Sequence, residues 1–269
     1  MTGIPYWTVA HGIDAWNIIN PLLRRALHHS NLILSVSCYT KERLVKEQKL
    51  DPTKIVVLPN TFNPNRFEIA PKPEYLLKKH NLRQEQFTIL TVARLAADEA
   101  YKGYDQVLRA IPQIRETIPD IHYIIVGKGN DRTRIEQIIA ELELQNCVTL
   151  AGFVPDEQLC DYYNLCDVFA MPGKGEGIGI VYLEALACGK PVMAGNQDGA
   201  VDALNRGELG ALVNPDDVCE IAQTLIHILQ GTYSNTLIYQ PKALRERVID
   251  IFGFESFQKT LANYLEAYI

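Results

Sequence analysis

The run FTILTVARL (87–95), followed by YDQVLRAIPQIRETI (104–118), HYIIVGKG (122–129), DRTRIEQIIAELEL (131–144) and CVTLAGFV (147–154), decides the fold of this 269-residue chain. Short β-rich segments alternate with helical patterns, which is the rhythm of βαβ units. Downstream, PDEQLCDYYNLC (155–166), DVFAMPG (167–173), GIVYLEALACG (179–189), PVMAGN (191–196), GALVNP (210–215) and VCEIAQTLIHILQG (218–231) continue it. The segments TILTV, YIIVG, VTLAG, VFAMP, PVMAG and GALVN are almost wholly apolar or small. They predict strands of a doubly wound parallel sheet covered on both faces. Ligands of such sheets sit beyond the carboxyl ends of the strands, where the loops carrying Arg94, Gly127, Gly152, Gly173 and Gly195 begin.

Residues 1–60 repeat the rhythm in shorter form: YWTVA (6–10), a helix over Pro21–His29, LILSVS (32–37), a helix over Thr40–Gln48 and KIVVLP (54–59). PNTFNPNRFEIAPKPEY (59–75), dense in Pro and Asn, reads as a linker, so a domain boundary is expected near 60–75. PKALRERVIDIF (241–252) and ESFQKTLANYLEAY (255–268) are two further helical patterns.

Composition narrows the class. A hydrophobic content of 47% supports a large core, and no stretch of eighteen uncharged apolar residues predicts a membrane span. The start has no pattern of a secretory signal, so a cytoplasmic location is expected. Six Cys lie scattered without a C-x-x-C pair and read as reduced core thiols; the six His have no metal-ligand spacing. The net charge of −6 is uneven: residues 1–82 hold 11 Lys and Arg against 6 Asp and Glu (+5), and residues 83–269 hold 15 against 26 (−11). A basic first part suits an anionic acceptor or a membrane surface, but an excess of this size more often marks a plain solvated face.

The chemistry concentrates in GKGEGIGIVYLEALA (173–187). Gly175, Gly177 and Gly179 strip the loop of side chains, so its backbone N–H groups can approach a ligand closely. The helix behind adds unpaired N–H groups and a positive dipole end. Glu176 stands at the helix mouth and Glu184 two turns on. This arrangement suits an anion bearing hydroxyls, such as a sugar diphosphate.

With these residues in place the chain resembles the retaining GT-B glycosyltransferases of glycosyltransferase family 4. The resemblance rests on EGIGIVYLEALACGKPV (176–192), TVARLAADEAYKGYD (91–105), YIIVGKG (123–129), LAGFVPDEQLCDYYNLCDVFAMP (150–172), VSCYTKERL (36–44) and VLPNTFNPNRF (57–67), in that family's order along essentially the whole chain. It implies transfer of a sugar from a nucleotide-diphosphate donor to a hydroxyl acceptor (a sugar, a glycan or a lipid-linked molecule) with retention of configuration. It also implies that no cofactor and no metal take part, with Arg94 and Lys102 neutralising the leaving diphosphate. Glu176 and His11 are the implied catalytic residues. Donor contacts are implied at Gly127, Gly129, Phe153, Val154, Leu159, Gly177, Ile178, Gly179, Ile180, Val181 and Glu184. Among these, Glu184 takes the ribose hydroxyls and Gly177–Val181 the sugar and diphosphate through backbone N–H groups. Ile178 replaces the family's common aromatic. Phe153 and Leu159 fit a plain core equally well, and Asp14 is a weaker candidate beside His11.

The resemblance divides the chain into residues 1–66, part of an N-terminal acceptor domain; a linker at 67–82; a complete C-terminal Rossmann-like nucleotide-sugar domain at 83–238; and helices at 239–269 returning toward the N-terminal part. Most of the family's N-terminal domain is expected to be missing, lost, encoded upstream or supplied by a separate chain. The competing expectation is a donor-binding module or truncated relic that does not complete transfer. A third reading, a sugar epimerase or phosphorylase on this fold, is disfavoured because no lysine-rich cofactor segment accompanies the glutamates. Nucleic acid is not an expected partner, and weak association with the inner membrane face is a secondary alternative.

Overall fold

A computed structural model describes residues 4–268 as two parallel sheets joined by a packed crossover. The first sheet contains β1 (Trp7–Ala10), β2 (Leu32–Ser35) and β3 (Ile55–Val57) in the order β1-β2-β3, with α1 (Ile13–Trp16), α2 (Pro21–His29) and α3 (Cys38–Gln48) in the connections. Sequence signals set the helix starts. The Asn20 side chain accepts from Leu22 N at 2.9 Å before Pro21, and Ser37 Oγ accepts from Thr40 N at 3.0 Å, which starts α3 at Cys38.

After α4 (Glu74–His80) comes the second sheet: β4 (Thr88–Val92), α5 (Tyr104–Thr117), β5 (His122–Val126), α6 (Arg132–Glu141), β6 (Val148–Gly152), α7 (Asp156–Leu165), β7 (Val168–Met171), α8 (Ile180–Ala187), β8 (Val192–Gly195), α9 (Ala200–Ala203), β9 (Ala211–Val213) and α10 (Val218–Leu229). All its pairings are parallel, in the order β6-β5-β4-β7-β8-β9. This is the dinucleotide-binding strand order, whose direction reverses between β4 and β7, the switch point where ligands of open α/β sheets bind. The apolar strands have helices on both faces. On one face Tyr104, Val107, Leu108, Ile111 and Ile114 of α5 pack with Ile221 and Leu225 of α10. On the other, Tyr162 and Tyr163 of α7 pack with Tyr182, Leu183 and Leu186 of α8. The buried positions of α5 follow the 3.6-residue period of an amphipathic helix.

The segment expected as a linker at 67–82 is packed structure. Phe67, Leu76 and Leu77 are buried in the core around α7 and α8, Ala70 N donates to Asn164 Oδ1 at 3.0 Å, and Lys72 Nζ pairs with Asp167 at 2.7 Å. Pro and Asn there stop regular structure without stopping burial. The chain ends in α11 (Pro241–Phe252) and α12 (Phe254–Tyr268). Leu244 and Val248 of α11 join the core beside α8, and Arg245 donates to the carbonyls of Phe67, Ala187 and Pro64. α12 reaches the first sheet, where Phe257, Leu261 and Tyr264 cover Leu32, Leu34 and Leu58, and Tyr264 Oη donates to Val57 O at 2.9 Å.

Candidate active site

A cavity of about 530 Å³ lies between the two sheets, at the carboxyl ends of β4, β5 and β7. From the first sheet it receives His11, just after β1, and from the crossover Asn60. From the second it receives Arg94, Lys102, Gly127, Lys128, Phe153, Val154, Leu159 and the run Glu176–Val181.

The loop between β7 and α8 is the centre. Gly177 passes so close to the first sheet that a Cβ there would collide with the His11 carbonyl oxygen, and Thr40 Oγ1 reaches Gly177 O at 3.5 Å. Only glycine allows that approach. The N–H groups of Gly177, Ile178, Gly179, Ile180 and Val181 donate to no turn, loop or side-chain acceptor among the described residues, and they cluster at the positive end of α8.

Asp198, after β8, holds the loop. Its buried carboxylate accepts from Gly175 N and Glu176 N, both at 2.8 Å, and from Ala200 N at 2.9 Å. Burial raises its pKa to about 6 despite these donors.

Arg94, Glu99, Lys102 and Glu176 form a charge chain. Arg94 pairs with Glu99, Lys102 Nζ lies 3.6 Å from Glu99 Oε2, and Lys102 Nζ also pairs with Glu176 Oε1. Lys102 and Glu176 side chains are only 12% and 13% exposed, whereas Arg94 is 78% exposed; Lys102 is therefore the desolvated cation of the two. Glu99 Oε2 is buried without a hydrogen bond. Beside them, burial and the nearby charge of Glu176 raise the Tyr101 hydroxyl to about 12.

At the other end Phe153 is 63% exposed, with Lys128 Nζ 4.8 Å from its ring centre, so it is a surface platform and not core. Val154 is buried and Leu159 half-buried along the same wall. Gly127 has φ 145° and sits where a Cβ would collide with Ala93 O. Gly129 packs equally tightly on Leu95 O and does not line the cavity. Both glycines are thus required by the approach of two protein loops, beyond any approach to a ligand. Glu184 also stands outside the lining. It is one turn beyond Ile180, and its Oε2 accepts from Tyr163 Oη at 2.7 Å, with burial raising its pKa. Asp14 is exposed on α1 outside the cavity.

The Glycosyl transferases group 1 family matches residues 74–247, and Glycosyltransferase Family 4 matches residues 1–66. The chain belongs to the group 1 glycosyl transferases. Similar proteins include the GDP-mannose-dependent alpha-(1-6)-phosphatidylinositol monomannoside mannosyltransferases of Mycolicibacterium smegmatis (31% identity, 81% of this chain and 59% of that one) and Mycobacterium tuberculosis (30%, 95% and 68%). The chain thus spans between 59% and 68% of the length of these two relatives. Anabaena HepE, solved with UDP and glucose, superposes with a TM-score of 0.83 at 21% identity, over 98% of this chain and 72% of that one. Sucrose-phosphate synthase of Thermosynechococcus elongatus gives 0.79 at 25%, over 98% and 68%. The fold is GT-B.

Sequence reading missed Asn60, Lys128, Glu99 as a member of the charge chain, and Asp198. For Asp198 the available signal was a lone acid inside the polar loop AGNQDGA (194–200).

Proposed function

We propose that this glycosyl transferase family member binds a nucleotide-diphosphate sugar in the cavity between its sheets, for metal-independent hexosyl transfer to a hydroxyl acceptor with retention. The observation that carries the reading is the convergence of Lys102, Arg94, Glu176, His11 and the undonated N–H groups of Gly177–Val181 on one cavity at the sheet's switch point.

As the sugar C1–O bond breaks, charge grows on the diphosphate. Lys102 and the backbone N–H groups, fixed in a partly desolvated site, stabilise it without reorganising. A diphosphate on Lys102 weakens that lysine's hold on Glu176, which leaves the carboxylate to hydrogen-bond sugar hydroxyls and face the positive anomeric carbon. His11, across the cavity, donates to the sugar or phosphate. The acceptor attacks from the face the diphosphate leaves, and a phosphate oxygen takes the acceptor's proton. Phe153 and Val154 border the nucleobase. The ribose role of Glu184 requires its carboxylate to turn from Tyr163.

GDP-mannose is the first donor to test because the mycobacterial relatives are named for it; UDP-glucose, bound in a HepE structure, is the second. Those relatives' names also support a lipid-linked acceptor. Among the described residues no helix is long and apolar enough to cross a membrane. α2 exposes Leu22 and Leu23 beside Arg24 and Arg25, a face suited to weak association with an anionic membrane surface on the cytoplasmic side.

Calorimetry with GDP-mannose, UDP-glucose and their nucleoside diphosphates, paired with a turnover assay, tests the reading. Absence of all nucleotide binding overturns it, and binding without turnover supports a donor-binding module instead. Glu176→Ala is expected to reduce transfer about 100-fold or more while nucleoside diphosphate binding stays within a few-fold.

A further inference from the structure

Away from the cavity, two cysteines face each other across the helices that wall it. Cys160 Sγ on α7 lies 3.9 Å from Cys188 Sγ, the residue that caps the end of α8. Both are free thiols; Cys160 is half-buried and Cys188 fully buried. A disulfide needs the sulfurs to close by about 2 Å, within reach of side-chain rotation at a helix end.

The surroundings make the two thiols unequal. Glu68 N–H points at Cys160 Sγ at 3.4 Å, and the Asn164 amide reaches it at 3.5 Å, so Cys160 has donors for a thiolate. The bond from Cys188 first, and then the Glu68 N–H, hold the Cys160 thiol down to about 6, against burial and the opposing charges of Asp161 and Glu68. Cys188, bonded to Cys160 and buried beside Cys166, is pushed the other way, with Lys190 opposing that shift. One thiol is half-buried with N–H donors at its sulfur, the other fully sheltered and within reach, which is the division between an attacking and a resolving cysteine.

We propose that Cys160 and Cys188 are a redox-reactive dithiol that closes to a disulfide joining α7 to the end of α8. With hydrogen peroxide as oxidant, the Cys160 thiolate attacks one peroxide oxygen and the O–O bond breaks. The departing hydroxide takes a proton from solvent to become water, and Cys160 is left as a sulfenic acid. Cys188 then loses its proton and attacks the Cys160 sulfur. The S–O bond breaks, and hydroxide leaves with that proton as a second water. Two thiols are oxidised by two electrons and one peroxide is reduced. The cross-link fastens Leu159's helix to the helix whose first turn carries Ile180 and Val181, stiffening two walls of the cavity. It also removes the thiolate that accepts from Glu68 N–H in the crossover.

Peptide mapping of the full chain after peroxide titration and alkylation tests this independently of any donor or turnover. The expected product is a peptide linking Cys160 to Cys188, about 2 Da lighter than its reduced parts. With it comes a rise in Tm of roughly 5–10 °C under non-reducing conditions, reversed by dithiothreitol. Cys188→Ala is expected to leave Cys160 trapped as a sulfenic acid that dimedone labels, with no rise in Tm; if that variant does not fold, the wild-type map decides alone. Recovery of Cys160 and Cys188 both as alkylated thiols while exposed Cys219 oxidises overturns the proposal, as does a cross-link that pairs other cysteines or two chains.

Discussion

The two sheets solve the same problem unequally. Around the six-stranded sheet, helices cover both faces, and among residues 83–238 the exposed large hydrophobics are Phe87, Phe153 and Ile180. Two of these three line the cavity. Around the three-stranded sheet, Ile4, Tyr6, Val9, Ile13, Ile19, Leu22 and Leu23 are all exposed within residues 4–23, and among the described residues β1 is an edge strand. A parallel sheet is normally sealed on both faces. Apolar exposure around the second sheet therefore falls mostly at the cavity, whereas around the first it is spread over β1, α1 and α2. The sheets meet where Gly177 touches His11.

That meeting point gives the largest expected effect. Gly177→Ala drives a methyl into the His11 carbonyl and displaces the loop from the first sheet, and donor affinity measured by calorimetry is expected to fall at least 100-fold. The comparison of cores is tested next by Leu183→Ala, which empties a fully buried position of α8 and is expected to cost about 2–5 kcal/mol in denaturant unfolding. Leu22→Ser on the exposed face of α2 is the paired control, expected within about 0.5 kcal/mol, while binding to anionic vesicles falls. A larger loss of stability in Leu22→Ser than in Leu183→Ala breaks the comparison.

The smallest expected effect is that of pH. Asp198 has a folded-state value near 6, above the ordinary carboxylate range, so the fold gains a proton as pH falls through 6. The cost of burying its charge is present above that pH and is relieved below it, so this residue's contribution to stability improves on acidification. The loop, however, loses acceptor capacity for Gly175 and Glu176 N–H. Donor affinity is expected to weaken a few-fold between pH 7 and pH 5, and an unchanged affinity across that range contradicts the role given to Asp198.

The second sheet was legible in the sequence because each strand, from TILTV to GALVN, is an apolar run ending in a loop with glycine or a charge. The loop between β7 and α8 was legible for the same local reason, since Gly175–Glu176–Gly177 and the helix beginning at Ile180 adjoin in sequence. What was hidden depends on residues far apart along the chain. Asp198 meets Gly175 and Glu176 from 23 and 22 residues away, through backbone atoms that leave no side-chain pattern. The Lys102–Glu176 pair spans 74 residues. Glu184 shows the limit of reasoning from position alone. Its place on α8 was correct, but the neighbour that takes its carboxylate, Tyr163, belongs to another helix.

On the proposed function, Lys102, held beside Glu176 in the interior of the cavity, is the main cation for the donor's diphosphate. Calorimetric titration of GDP and UDP into wild type, Lys102→Ala and Arg94→Ala at low and high salt tests it most directly. The expected result is a loss of about 10- to 100-fold for Lys102→Ala, a smaller and more salt-sensitive loss for exposed Arg94→Ala, and no comparable change for Leu22→Ser. Nucleotide binding that is unchanged in Lys102→Ala contradicts it.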